Sequence, residues 1–113
     1  MNSKDLPKCP VETAFMMIGC KWKVLIVKVL LGGTMRFCEL KKALGGITQK
    51  VLTSNLREME SLGLITRKVY EQNPPKVEYS LTDIGYSLMP VIDSLRTWGK
   101  DYKKYMRLLE KMK

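Results

Sequence analysis

The side chains best suited to chemistry in this sequence are polar residues spaced as one face of a helix. From Lys50 to Arg57 they recur at intervals of three, four and seven residues, which brings them to one side of a helix. Arginine can bind guanine through two hydrogen bonds, and short polar side chains reach base edges in the major groove of DNA. The pattern predicts base contacts from Gln49, Thr53 and Arg57, and phosphate contacts from Lys50, Ser54 and the amides near Thr48.

The surroundings of this polar face bear on whether it binds a polyanion. Glu58, Glu60 and Glu71 are expected to lie off the face, which would leave it free of acidic side chains. The alternative for the same residues is an ordinary solvated helix surface, so the spacing alone does not decide between the two.

Cys9 is the second candidate for chemistry. It lies beside Lys8 at the predicted start of a helix, where the ammonium and the helix dipole both favour the thiolate over the thiol. Because oxidants and electrophiles attack thiolates, Cys9 is a candidate sensor, and the alternative is an inert capping residue. Cys20 and Cys38 occur in apolar helical segments and are expected to be small buried hydrophobes.

Other classes of chemistry are disfavoured by what the sequence lacks. It has no histidine, its three cysteines form no paired C-x-x-C spacing, and no phosphate-binding loop or nucleophile turn is recognisable. We expect no metal, no cofactor and no enzymatic activity. A thiol peroxidase that uses Cys9 is the enzymatic alternative, and it lacks an evident resolving cysteine.

The composition predicts one basic domain, spanning residues 1–113. The chain has 113 residues, is 45% hydrophobic and carries a formal net charge of +9, which favours a polyanionic partner. The positive charge is spread along the chain, with +4 in residues 36–76 and +5 in residues 96–113. Residues 1–8 lack the apolar run of a secretory signal, and no apolar stretch is long enough to span a bilayer. We therefore expect a cytoplasmic protein with no membrane contact.

The elements that would position the polar face follow from periodicity and turn residues. Helices are predicted at 10–18, 21–31 and 37–44, with a short strand at 34–36 and core positions at Trp22, Leu25, Ile26, Val29 and Leu30. The next helix is capped by Thr48, buries Leu52, Leu56 and Met59, and ends near Gly63. Strands at 64–71 and 76–81, joined by the tip Gln72-Asn73-Pro74-Pro75, form a β-hairpin.

This order of elements predicts a mainly helical α+β fold, the winged helix-turn-helix, with an N-terminal helix and a long C-terminal helix. The wing hairpin supplies further candidate DNA contacts at Asn73, Lys76 and either Arg67 or Lys68. The alternative is a hairpin that is merely soluble. Arg36 and Lys23, near the starts of helices, are weaker candidates for phosphate contacts.

The C-terminal segment predicts a dimerisation helix over residues 82–109. Its apolar residues alternate in steps of four and three from Ile84 to Leu109, the seam of a coiled coil. Pro90 is expected to kink this helix. The alternative is a helix packed on its own domain. The predicted homodimer interface comprises Leu88, Val91, Leu95, Trp98, Tyr102 and Tyr105.

Several segments, taken in order, resemble the HxlR family of winged-helix regulators, which is MarR-like. They are Cys9-Pro10-Val11, Gly19-Cys20-Lys21-Trp22, Leu52-Thr53-Ser54-Asn55-Leu56-Arg57-Glu58-Met59-Glu60 and Pro74-Pro75-Lys76-Val77-Glu78-Tyr79-Ser80-Leu81-Thr82-Asp83-Ile84-Gly85.

The resemblance, which covers about residues 9–102, implies a transcription regulator that binds a pseudo-palindromic DNA operator as a homodimer. Relatives with a cysteine before the proline use it to sense oxidants, quinones or aldehydes, so the resemblance implies the same role for Cys9, through a bridge to the other subunit. Cys20 departs from the glycine that the family usually has. The alternative function is a winged-helix module that binds RNA or a protein, which the predicted burial of most aromatic side chains disfavours.

Overall fold

The elements of the computed structural model, which describes residues 2–113, follow the predicted order. Met1 belongs to the predicted domain and to the N-terminal segment that is expected to lack a secretory signal. It lies outside the described residues. The prediction of a mainly helical winged helix-turn-helix is confirmed. After a 3₁₀ turn at Ser3–Asp5, the elements are α1 Pro10–Ile18, α2 Lys21–Leu30, β1 Met35–Arg36, α3 Phe37–Leu44, α4 Gln49–Ser61, β2 Ile65–Tyr70, β3 Lys76–Leu81, α5 Asp83–Tyr86 and α6 Met89–Lys111.

The core lies where α2, α3 and α4 meet the sheet. On α2, Ile26 and Leu30 are fully buried as predicted, whereas Trp22, Leu25 and Val29 are only half-buried. The three residues predicted to face inward on α4 are all buried, and they pack with residues of the sheet. The fully buried side chains are Ile26, Val27, Leu30, Leu40, Leu52, Leu56, Met59 and Ile65.

Helix α4 is fixed at both ends by local interactions. At its start, the Thr48 hydroxyl accepts a hydrogen bond from the Val51 amide at 3.1 Å, the cap that the sequence predicts. At its end, the Leu64 amide donates to the Met59 carbonyl and the Gly63 amide donates to the Glu60 carbonyl, each at 3.0 Å. Gly63 adopts a φ of +78°, which this glycine-dependent motif requires.

The three strands form an antiparallel sheet in the order β1-β3-β2. In this register Arg67 lies opposite Tyr79, and Glu78 lies between Lys68 on one side and Arg36 on the other. The β2–β3 hairpin is the predicted wing, with β2 one residue shorter at each end than expected. The sheet therefore places basic residues of two other strands, β1 and β2, on either side of one acidic residue.

The C-terminal segment is divided, and the prediction of one helix kinked at Pro90 is wrong in this respect. Helix α5 ends at Tyr86 and α6 begins at Met89. Pro90 lies in the first turn of α6, where its missing amide removes no intrahelical hydrogen bond. A side chain at Gly85 would collide with the Leu64 carbonyl, so glycine permits the close packing of α5 against the sheet.

Only the start of α6 packs against the core. Ile92 is its one buried residue and contacts the region of α2, whereas the rest of the helix is largely exposed. A helix of 23 residues is about 34 Å long, which makes the protein elongated, with a longest extent of 60 Å. Within residues 2–113, no helix combines the length and the apolar character needed to cross a membrane.

Candidate nucleic-acid interface

The exposed side of α4 carries the polar face that the sequence predicts. Five of the predicted DNA contacts line one open concavity of about 630 Å³: Gln49, Lys50, Thr53, Ser54 and Arg57. The opposite side of the helix packs into the core through Leu52, Leu56 and Met59. Thr48 precedes them at the start of α4, where its hydroxyl oxygen accepts a backbone hydrogen bond. The structure thus brings together the six predicted residues of this helix.

A second, more enclosed cavity of about 170 Å³ lies between α4 and the sheet. It is lined by Thr53 and Arg57 from α4, by Arg67 from β2, and by Glu60. The expectation that Glu60 lies off the polar face is therefore wrong, because Glu60 lies at the edge of that face. The signal was in the spacing, since Glu60 is three residues after Arg57 and seven after Thr53. Glu60 and the two arginines line this cavity together.

The wing holds its basic residues in different surroundings. Asn73 is exposed at the tip. Lys76 is half-buried, lies 3.4 Å from the Glu78 carboxylate, and lies over the Tyr70 ring at 4.8 Å from its centre. Lys68 covers the same ring at 4.8 Å. Of the predicted wing contacts, Asn73 and Arg67 are thus free of the ion pair that engages Lys76.

Glu78 is the acidic centre of the wing. A hydrogen bond from Tyr70 holds the pKa of the Glu78 carboxyl below its ordinary value. Desolvation acts in the opposite direction, and the positive charges of Lys76 and Arg36 lower the pKa further. Arg36 is itself exposed, and its amide donates to the Glu39 carboxylate at 2.8 Å. The guanidinium of Arg36 therefore lies at the start of α3, beside the wing and separate from the α4 face.

Lys23 does not face solvent, which excludes it as a phosphate contact. Its side chain is buried, and its ammonium donates to the Glu58 carboxylate at 2.6 Å and to the Met16 carbonyl at 3.3 Å. The position lies one turn before Ile26 and Val27 on the inward side of α2, so the chain directs it towards α4. This ion pair links α2 to α4.

The cysteines are all exposed free thiols. Cys9 occupies the N-cap position of α1, as predicted, and makes no capping hydrogen bond. The expectation of burial for Cys20 and Cys38 is wrong, because Cys38 lies off the inward face of α3 and Cys20 precedes the first buried turn of α2. The thiol of Cys20 instead lies 3.7 Å from the Asn55 side-chain oxygen of α4.

The predicted dimer surface on α6 is exposed, apart from its first residue. Leu88 is half-buried and packs against the core of its own chain, because it precedes α6 in the turn after α5. The other five residues are between 37% and 68% exposed, and the Trp98 and Tyr102 rings stack at 5.4 Å. Helix α1 carries two further exposed apolar residues that the sequence did not indicate, Val11 and Phe15. The seam from Val91 to Tyr105 therefore lacks a partner within the described chain.

Comparison with known proteins gives a consistent result. The family model of the HxlR-like helix-turn-helix matches residues 17–107. The HTH-type transcriptional regulator YdeP of Bacillus subtilis is 49% identical over 109 residues, which are 96% of this chain and 85% of YdeP.

Two solved structures are also similar to this chain. The reduced form of the redox regulator HypR matches with a TM-score of 0.82 at 40% identity, covering 88% of this chain and 98% of HypR. The reduced form of the transcriptional regulator YodB from B. subtilis matches with a TM-score of 0.74 at 35% identity, covering 85% of this chain and 95% of YodB.

Proposed function

The chain belongs to the HxlR-like helix-turn-helix family, a family of DNA-binding transcription regulators, and from this membership we propose that it binds a pseudo-palindromic operator as a homodimer. The observation that carries the proposal is the two-sided α4. One side is fully buried, and the other presents Gln49, Thr53 and Arg57 on an open concave surface. A helix held in this way can enter the major groove as a rigid reading element.

The contacts divide into two groups by chemistry. Arg57 offers the paired donors that suit guanine, and Gln49 and Thr53 offer shorter polar groups to neighbouring base edges. Lys50, Ser54, Arg36 and the first amides of α4 suit phosphates, because they supply charge or donors without paired geometry. In the wing, Asn73 and Lys76 contact the adjacent backbone or the minor groove.

The homodimer is supported by the exposed seam of α6. Aromatic and aliphatic side chains that are half exposed along a protruding helix form a larger apolar surface than a monomer usually leaves in water. A two-fold pairing through Val91, Leu95, Trp98, Tyr102 and Tyr105 covers this surface. To read two half-sites one turn of DNA apart, such a dimer has to hold its two copies of α4 about 34–36 Å from each other.

Cys9 is the proposed sensor of this regulator. Its thiol is exposed at the start of α1, and HypR, a redox regulator, shares the fold. A diamide-type oxidant would take two electrons and two protons from two thiols while a disulfide forms between Cys9 and a cysteine of the other subunit. The bond would change the relative placement of the two subunits, and hence operator binding.

The test of operator binding uses the reduced protein and DNA from beside its own gene, with a scrambled duplex of equal length as competitor. We expect preference for the promoter, lost in Arg57→Ala and retained in the control Lys28→Ala, whose exposed side chain lies on α2. Affinity should fall by about 10³-fold or more between 50 and 200 mM salt for six or more phosphate contacts. Equal, weak binding to both duplexes would instead favour the RNA or protein partner.

The sensor is tested on the same promoter DNA. Diamide should release the wild-type protein, and the Cys9→Ser variant should stay bound. Cys38→Ser, which removes another exposed thiol, identifies whether that cysteine is the partner in the bridge. Release of the Cys9→Ser variant by diamide at the wild-type dose would refute the role of Cys9.

A further inference from the structure

The face of α6 opposite the apolar seam carries a row of cations. In an α-helix successive residues are about 100° apart, which places six basic residues within an arc of about 100°, centred opposite Trp98 and Tyr102. All six are exposed. This basic stripe consists of Arg96, Lys100, Lys103, Lys104, Arg107 and Lys111.

The charges of the basic stripe are almost uncompensated within the protein. Among residues 2–113, its one ion pair joins Arg96 to Asp93 at 2.9 Å. Asp101 and Glu110, the acidic residues of the same stretch, project from the two flanks of the helix. Like charges three and four residues apart repel one another on a helix, so the stripe lowers helix stability and its charge is complementary to an external anion.

The spacing of the basic stripe matches a particular kind of anion. Its six cations extend over about 22 Å of the helix axis, with a mean separation of about 4.5 Å. Phosphates along one strand of B-DNA are about 3.4 Å apart along the axis. A small anion would engage one or two of these cations, whereas a nucleic-acid backbone engages most of them.

We infer that the basic stripe of α6 is a second, sequence-independent binding surface for the phosphate backbone of duplex DNA, separate from the α4 face. The stripe lies opposite the apolar seam and beyond Ile92, where α6 leaves the core. Pairing through the seam would therefore leave the stripe of each subunit accessible. The surface binds DNA outside the segment that α4 reads, and so adds affinity without adding sequence preference.

The experiment measures binding to a scrambled 40-base-pair duplex over a range of salt concentrations. The stripe variant combines Lys100→Gln, Lys103→Gln and Lys104→Gln, which remove three charges and retain good helix formers. The matched control combines Lys4→Gln, Lys21→Gln and Lys28→Gln, which remove the same charge from exposed positions outside the stripe. Circular dichroism and sedimentation check that both variants keep the fold and the oligomeric state.

For the stripe variant we expect a plot of log affinity against log salt that is less steep by about 2.7 than that of the wild type, at about 0.9 for each phosphate contact. Between 50 and 200 mM salt, its affinity should therefore fall by about 40-fold less. The control should change the slope by less than about one. Equal slopes for the two triple variants would overturn the inference.

Two further outcomes separate this inference from others. Equal slopes combined with loss of binding to phosphatidylserine vesicles in the stripe variant alone would assign the stripe to an anionic membrane and overturn the DNA assignment. The scrambled duplex contains no operator, so the result does not depend on the proposed function. Absence of promoter preference together with a stripe-dependent slope would refute the operator and support the stripe.

Discussion

Helices α4 and α6 are both amphipathic, but the apolar face of α4 is buried and that of α6 is exposed. The inward residues of α4 are at most 2% exposed, whereas those of the α6 seam are between 37% and 68% exposed. Short connections hold α4 against α2 and the sheet, while α6 meets the core only at Ile92. The periodicity of a sequence predicts that the apolar face of a helix will be buried. The length and attachment of the helix determine whether that face packs against its own chain.

The largest expected effect tests whether the apolar faces of α4 and α6 contribute differently to the free energy of unfolding. Leu52→Ala removes a fully buried side chain and should lower the free energy of unfolding by about 2–5 kcal/mol. Leu95→Ala, at a half-exposed position, should cost much less in dilute protein. Urea unfolding of both variants at low concentration measures the difference. Equal losses would mean that the α6 seam is covered within the monomer.

The next effect concerns association. Trp98→Ala should weaken the proposed homodimer by about 2 kcal/mol or more, or about 30-fold in its dissociation constant, because aromatic side chains are common hot spots of interfaces. Thr97→Ala, exposed on the adjacent residue off the seam, is the control. Sedimentation equilibrium measures both constants, and an unchanged constant in Trp98→Ala would place the interface elsewhere.

A smaller effect tests the attachment of α4. Thr48→Ala removes the hydroxyl that accepts the Val51 amide and should lower the free energy of unfolding by about 1 kcal/mol. Ser54→Ala, an exposed change in the middle of the same helix, should be nearly neutral. If thermal unfolding shows the same loss for both, the cap does not contribute to holding α4.

The smallest effect lies in the wing. The pKa of Glu78 is held below its ordinary value of 4.5, so its ionisation stabilises the folded state. This contribution is fully present above the unfolded pKa and is lost as the pH falls through the lower, folded pKa. Hydrogen exchange of the wing amides between pH 6 and 3 should show loosening in the wild type that Glu78→Gln lacks, with the α4 core protected in both.

The parts of this fold that the sequence predicts are those with local causes. Thr48, Gly63 and the spacing of Leu52, Leu56 and Met59 specify the start, end and inward face of α4 within a short stretch of the chain. The wing strands follow from alternation and from Pro74-Pro75 in the same way. Consequently the amino-acid sequence alone identifies most of the candidate site on α4.

The remaining features depend on contacts between distant segments. The burial of Lys23 requires the Glu58 carboxylate, 35 residues later, and no pattern on α2 alone indicates it. The exposure of Cys20 depends on where α2 begins, and the exposure of Cys38 depends on which face of α3 packs against the core. The break between α5 and α6 was concealed because the four-and-three spacing of apolar residues continues through it, although Leu88 faces the core and Ile84 does not.

The ion pair between Lys23 and Glu58 has a consequence for how a signal could reach DNA. It joins α2 to the outer flank of α4 at 2.6 Å and, together with the buried face of α4, restricts the movement of α4 relative to α2. In the proposed homodimer, a stimulus would then change mainly the distance between the two subunits and would tilt either α4 helix only slightly. For the proposed homodimer we expect oxidation to change the preferred half-site spacing, so operators with one base pair added or removed at their centre should differ in their relative affinity for the oxidised and the reduced protein.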